Sequence, residues 1–152
     1  MKKKYLVWTP DYRNNSGGIR GLHRLCHLLN RQGQQSYVSN PIVNPDWNTP
    51  YLDPKKITDD FIAVYPEIVW GNPFGAKRVV RYVLNTPGLL GGAKNYPETV
   101  FTWDKKYCDA PLLKIDMIED FFNNEVPIER TKNCFWVGKG KNIKRVKETK
   151  DL

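Results

Sequence analysis

The opening stretch, from Tyr5 to Ser39, constrains the fold more than any other part of the chain. Tyr5-Leu6-Val7-Trp8-Thr9 is a short β-prone run stopped by Pro10 and a polar stretch, and Asn14-Asn15-Ser16-Gly17-Gly18 reads as a loop. Beyond it Ile19, Leu22, Leu25, Cys26 and Leu29 recur at helical spacing, with Arg20, Arg24, His27 and Arg31 on the opposite side. Ser16 is placed to cap this helix and Gly33 to end it. Gln35-Ser36-Tyr37-Val38-Ser39 follows as a second strand, closed by Asn40-Pro41. Strand, glycine loop, helix, strand is a βαβ unit, for which parallel pairing and a right-handed crossover are expected.

The remainder extends the same alternation. Residues 41–54 hold four prolines and read as loop, with a short helical turn over 55–60. Phe61-Ile62-Ala63-Val64-Tyr65 is a third strand ending at Pro66-Glu67. Asn72-Pro73 has the form of a helix start, which predicts a helix over 74–84 that stops before Pro87-Gly88. Residues 99–103 and 112–115 read as further strands, and Cys134-Phe135-Trp136-Val137 as a last apolar run. The expectation is an α/β fold: a Rossmann-like open, mostly parallel sheet flanked by helices over 1–137, then a basic tail over 138–152.

With 152 residues, 40% of them hydrophobic and 26% charged, the chain is long and apolar enough for one packed domain and unlike a disordered segment. No apolar run approaches the roughly 18 residues that cross a bilayer. The basic start, Met1-Lys2-Lys3-Lys4, precedes an apolar run too short for a signal peptide, so a cytoplasmic location is expected. Cys26, Cys108 and Cys134 are odd in number and widely spaced, which favours reduced, packing thiols over disulfides or a zinc knuckle. The net charge of +8 suits phosphorylated ligands, nucleic acid or an anionic membrane surface, but six Lys/Arg lie in 138–152, where a charged tail is commonly just solvated. Aromatic and basic residues are not interleaved in the pattern of single-strand binders, so no nucleic acid is expected. Peripheral membrane contact stays open.

In an open α/β sheet, ligands bind beyond the carboxyl ends of the strands, at the switch in strand order. The loop over 9–18, the turn Tyr65-Pro66-Glu67 and the turn after Trp103 must reach that edge. Gly17 and Gly18 allow close backbone approach at a helix start that favours an anion, although a ligand-free tight turn would use the same residues. The pattern is neither G-x-G-x-x-G nor a Walker A loop. Each other candidate has two readings. Arg20 either reaches an anionic group from the first helical turn or belongs to a solvated basic face. Glu67 and Asp11 either orient or deprotonate an acceptor hydroxyl or serve as turn-capping carboxylates. His23 faces a cleft or is hydrogen-bonded internally, and Asn72 and Lys77 contact a ligand or merely cap and solvate a helix start. His23 and His27 have metal-ligand spacing, but no neighbouring Glu and no third ligand accompany them, so no metal is expected.

Ser16-Gly17-Gly18-Ile19-Arg20, with the helix that follows, resembles the first loop and helix of GT-B glycosyltransferases. The stretch Ala63-Val64-Tyr65-Pro66-Glu67-Ile68-Val69-Trp70-Gly71-Asn72-Pro73-Phe74-Gly75-Ala76-Lys77, continuing through Arg81-Tyr82-Val83-Leu84-Asn85-Thr86-Pro87-Gly88, is similar to bacterial and viral enzymes of the large retaining nucleotide-sugar class. Phe101-Thr102-Trp103 and Phe135-Trp136-Val137-Gly138-Lys139-Gly140 are similar to that group as well. The resemblance covers most of the chain. It implies an acceptor-side domain facing a second Rossmann-like domain that binds the nucleotide-sugar donor, with no cofactor and no bound metal, because helix N-termini and basic side chains neutralise the leaving diphosphate. Gly17 and Gly18 would border the cleft, and a sugar or glycan acceptor would be the partner. The family's donor-domain residues have no counterpart here, so this chain alone is expected not to transfer sugar. The alternatives are a standalone basic module for nucleic acid or an anionic surface, and an obligate subunit of a split transferase.

Overall fold

The structure, a computed structural model, describes residues 3–115, which fall within one unit, Met1–Ile118. Its elements are β1 (Lys4–Val7), α1 (Gly17–Arg31), β2 (Gln35–Val38), a 3-10 turn at Pro54–Lys56, β3 (Phe61–Pro66), β4 (Arg78–Val83) and β5 (Thr99–Thr102). The strands form one open sheet in the order β2-β1-β3-β4-β5, every pair parallel. The chain therefore has the expected α/β, Rossmann-like architecture, with α1 the single α-helix among the described residues. No helix among them is long and apolar enough to cross a membrane.

The βαβ unit forms as its periodicity predicts. Leu22, Leu25 and Cys26 of α1 bury against Val7, Val38, Val64 and Tyr82, one from each of β1 to β4. Full burial of such side chains stabilises by about 1.5–3 kcal/mol each. Burial also pushes the Cys26 thiol up to about 12, so it packs as an apolar group. Cys108 is half-buried and also unbonded, and Cys134 lies outside the described residues. Gly33, at φ +76, ends the helix: its amide donates to Asn30 O and that of Gln34 to Leu29 O, a Schellman closure. Asn30 then ties the helix end to β2, donating to Ser36 O at 2.8 Å and accepting from Ser36 N at 2.7 Å.

The second half departs from the expected pattern. No helix covers 74–84; the chain there is β4, and Asn72 caps no helix. Its Oδ1 accepts from the Tyr65 hydroxyl (2.9 Å) and the Ala76 amide (3.1 Å), while its Nδ2 donates to Ala76 O (2.8 Å), closing a tight loop. Gly75, at φ +66, completes that loop. Downstream, Val79, Val80, Tyr82 and Val83 are β-branched or aromatic and pack on both faces, as in a strand buried within a parallel sheet. Nor do residues 112–115 form a strand: Leu112 makes one isolated bridge to Thr102, and Leu113 and Ile115 close the α1 side of the core. The expected run over 134–137 and the expected boundary at 137/138 lie outside the described residues.

The β3–β4 and β4–β5 crossovers thus cover the second face of the sheet without helices. Arg81 replaces them. It is 2% exposed, and its guanidinium donates to Pro66 O (3.1 Å), Val69 O (2.8 Å) and Gly71 O (3.0 Å). It also pairs with Glu98 through Nε (2.8 Å) and Nη2 (2.5 Å) and lies over the rings of Tyr65 and Tyr96. Replacing Arg81 by Met should cost about 3–5 kcal/mol in urea denaturation, because it strands three carbonyls and a carboxylate, whereas Glu98→Gln should cost distinctly less. A second contact is as tight: a Cβ at Gly92 (φ +76) would lie 1.8 Å from the Glu67 carbonyl oxygen. Gly92→Ala should lower stability by at least the about 1–3 kcal/mol that a left-handed non-glycine residue costs, measured the same way.

Candidate functional site

In this strand order the chain leaves β1 on one side and returns on the other, so the crevice above the carboxyl ends of β1 and β3 is the switch point. The β1–α1 loop is fixed there at its root. Trp8 N donates to Val64 O (2.9 Å), Ser39 N to Val7 O (3.1 Å) and Thr9 N to the Ser39 hydroxyl (3.0 Å). Ser16 occupies the N-cap position in extended backbone, as predicted, but its hydroxyl makes no bond to the helix. The first turn carries no acidic residue, and nothing lies within 4 Å of a Cβ built on Gly17 or Gly18. An uncapped helix start beside open space is suited to an anion or a polarised oxygen.

The predicted residues divide between two edges of the sheet. Gly17, Gly18, Asp11 and Arg20 gather at the carboxyl edge; Asp11 is exposed and Arg20 half-buried. His23 lies beneath them rather than in the crevice. It is fully buried, its Nε2 donates to Pro10 O (3.2 Å), its ring meets Tyr12 edge-on, and its Nδ1 has no partner. The Thr9 hydroxyl beneath the same loop is likewise buried and unpartnered. The basic helix face is also partly covered: Arg24 lies over the Trp47 ring, and His27 Nδ1 accepts from Asn48 N (2.9 Å).

Glu67 reaches the same edge but is only 4% exposed, and its Oε2 accepts from the Leu84 amide at 2.9 Å. Burial raises its pKa, against the opposing pull of the Leu84 and Asn85 amides and of Arg81. In this geometry Glu67 fastens the end of β4 to the end of β3. Its own carbonyl accepts from Tyr96 Oη (3.3 Å) and supports Gly92. Leu84, Tyr96 and Gly92 are absent from the predicted set; only the strand character of β4 would have pointed to them.

Asn72 and Lys77 belong to the opposite, amino-terminal edge. Asn72 holds its own loop, and Lys77 pairs with Asp59 at 2.5 Å on the surface. Both line a cleft of about 780 Å³ with Arg78, Arg81, Tyr96 and Glu98. That cleft lies across the sheet from the switch point, so Asn72 and Lys77 do not join Gly17 and Gly18 in one site. Among the described residues no cluster of three or more His, Cys, Asp and Glu side chains gathers in metal-binding geometry.

Compared with models of protein families, with characterised proteins and with solved structures, the chain matches none.

The buried pair His23 and Glu67 gives this edge a defined pH response. Burial lowers the His23 pKa below 6.5, although its Pro10 hydrogen bond pulls the other way. The unfolded chain then binds a proton first, so the His23 contribution is whole above pH 6.5 and lost as pH falls. Glu67 has the reverse sign: its raised pKa gives stability that is full below 4.5 and lost as pH rises through the folded value. In a Glu67→Gln background only the histidine arm remains. The urea midpoint should then fall on acidification from about pH 7 to 5, and adding His23→Gln should flatten that slope. An unchanged slope would assign the titration elsewhere.

Proposed function

We propose that this domain is the acceptor side of a GT-B type glycosyltransferase, taking a sugar or glycan acceptor and working with a second domain or chain that binds the nucleotide-sugar donor. The observation that carries the reading is the uncapped, open start of α1 at the β1/β3 switch point, built by the same Ser16-Gly17-Gly18 segment that resembles the family. Resemblance in the Tyr65 to Lys77 block and its continuation to Gly88 adds weight, since Glu67 of that block follows the carboxyl end of β3.

On this reading each residue has a chemical task. Gly17 and Gly18 border the crevice that takes the acceptor, and Arg20 faces negative charge that develops on the leaving diphosphate, where fixed charges stabilise a transition state most effectively. Asp11, exposed at the crevice, is the carboxylate able to orient the acceptor hydroxyl or take its proton. Glu67 acts as a positioning residue by joining the ends of β3 and β4. No metal or cofactor enters the scheme. Asn72 and Lys77 lie outside it.

The test uses the whole chain with a panel of nucleotide sugars and saccharide acceptors, following donor turnover and amide chemical shifts together. No turnover is expected from the chain alone, with acceptor-induced shifts centred on Asp11, Gly17 and Gly18. Gly18→Val meets no neighbouring atom and requires no positive φ, so it should fold normally while narrowing the crevice. It should weaken acceptor binding by about tenfold or more, roughly one lost favourable contact. Turnover by the isolated chain would overturn the acceptor-side reading, and binding indifferent to Gly18→Val would remove the crevice from it.

A further inference from the structure

The cleft of about 780 Å³ at the amino-terminal edge holds polar groups that the fold leaves unspent. Glu98, one of its lining residues, is only 14% exposed and gives both of its Arg81 contacts through Oε1. Its Oε2 has no hydrogen-bond partner among the described residues, yet it is not sealed from solvent. Arg78 lines the same cleft and supplies the complement. Only its Nη2 is engaged, on Asp59 O (3.3 Å) and Asp60 O (2.6 Å), so Nε and Nη1 keep their donors. Ala93, Tyr96 and Pro97 add carbon surface. Tyr96 is held by its hydroxyl on Glu67 O and by the Arg81 guanidinium over its ring. Arg81 is fixed in turn by three backbone carbonyls. A site ordered in advance loses little entropy when a ligand enters.

The chemistry of these groups selects the ligand. Glu98 Oε2 requires a donor. Its charge is already matched by Arg81, so a cationic donor finds no net negative charge and meets Arg78 in the same cavity. An anion would gain from Arg78 and lose against the unpaired oxygen. A planar edge with two N–H groups grips both oxygens of a carboxylate, and here Oε1 is taken. A neutral hydroxyl compound meets every condition. One hydroxyl donates to Oε2, a second oxygen accepts from Arg78, and C–H faces lie on Ala93, Tyr96 and Pro97. We propose that this cleft is a binding site for a neutral saccharide, separate from the crevice at the switch point. The proposal does not rest on the glycosyltransferase reading, because it uses other residues at the opposite edge of the sheet.

The experiment titrates the isotope-labelled full chain with methyl glucoside, methyl galactoside, maltotriose and cellotriose, with inorganic phosphate and spermidine as ionic controls. Saturable amide shifts at Asn95, Glu98 and Thr99 are expected with at least one saccharide. They should persist in Gly18→Val, which separates the cleft from the crevice. Glu98→Gln and Arg78→Met should each weaken this binding by about tenfold or more, the loss of one hydrogen bond to a charged group. Arg78 is exposed, so Arg78→Met should melt close to the parent and decides the matter if Glu98→Gln proves too unstable to titrate. No shift at the cleft with any of the four saccharides would overturn the proposal, even if Asp11, Gly17 and Gly18 respond. So would binding indifferent to both variants. A stronger response of the cleft to phosphate or spermidine would make it an ionic site and overturn the proposal as well.

Discussion

The Arg81 guanidinium occupies the place that crossover helices fill in a fully elaborated sheet of this kind. A helix covering the second face would arrive with its backbone bonds already made, whereas the β3–β4 and β4–β5 loops bring carbonyls that must find donors. Five N–H donors on a rigid plane suit that demand better than a lysine would. Three carbonyls and two contacts to Glu98 Oε1 use all five donors, and the Tyr65 and Tyr96 rings cover its faces. A buried ion pair by itself is weak evidence for stability. Here its value lies in the loops it fixes, alongside the cluster of Ala63, Tyr65, Val69 and Ala76 on that face and the partly buried Trp8, Ile57, Ile68, Phe74 and Val79 packed against it.

The first half of the fold was legible from local pattern, and the second half was not, for the same reason. In the βαβ unit the apolar positions of α1 recur at helical spacing and the helix ends at a glycine, so periodicity and tertiary packing agree. In 78–83 a charged residue stands at the centre of an otherwise apolar strand. Arg81 broke the run that would have signalled β4, and Asn72-Pro73 supplied a false helix start. Short apolar segments are where helix and strand are hardest to separate, and β-branched Val79, Val80 and Val83 were the arbiter. Residues 112–115 show the converse: a β-prone segment can close a core through Leu113 and Ile115 with hardly any ladder.

The candidate site was legible to the same extent. Strand ends and a glycine loop located the crevice, because connectivity alone forces them to one edge. Side-chain roles were not readable, because burial decides them. Asp11 and Glu67 have the same chemistry and similar positions after a strand, yet one is exposed and the other spends its oxygen on the Leu84 amide. His23 sits one helical turn from Arg20, and the Pro10 carbonyl rather than solvent accepts its N–H hydrogen bond. Asn72 and Lys77 went to the far edge once the segment after them proved to be a strand, because a parallel crossover must return the chain to the amino end before β4 begins.

Glu67 connects these observations. Its carboxylate holds the start of the β4–β5 loop, its carbonyl carries Gly92 and Tyr96, and Tyr96 in turn covers Arg81. The loops that follow β3 and β4 are therefore joined through Glu67 and Arg81. The Leu84 and Asn85 amides offset part of the desolvation cost of burying this carboxylate, and in accepting from them Glu67 orders the end of β4.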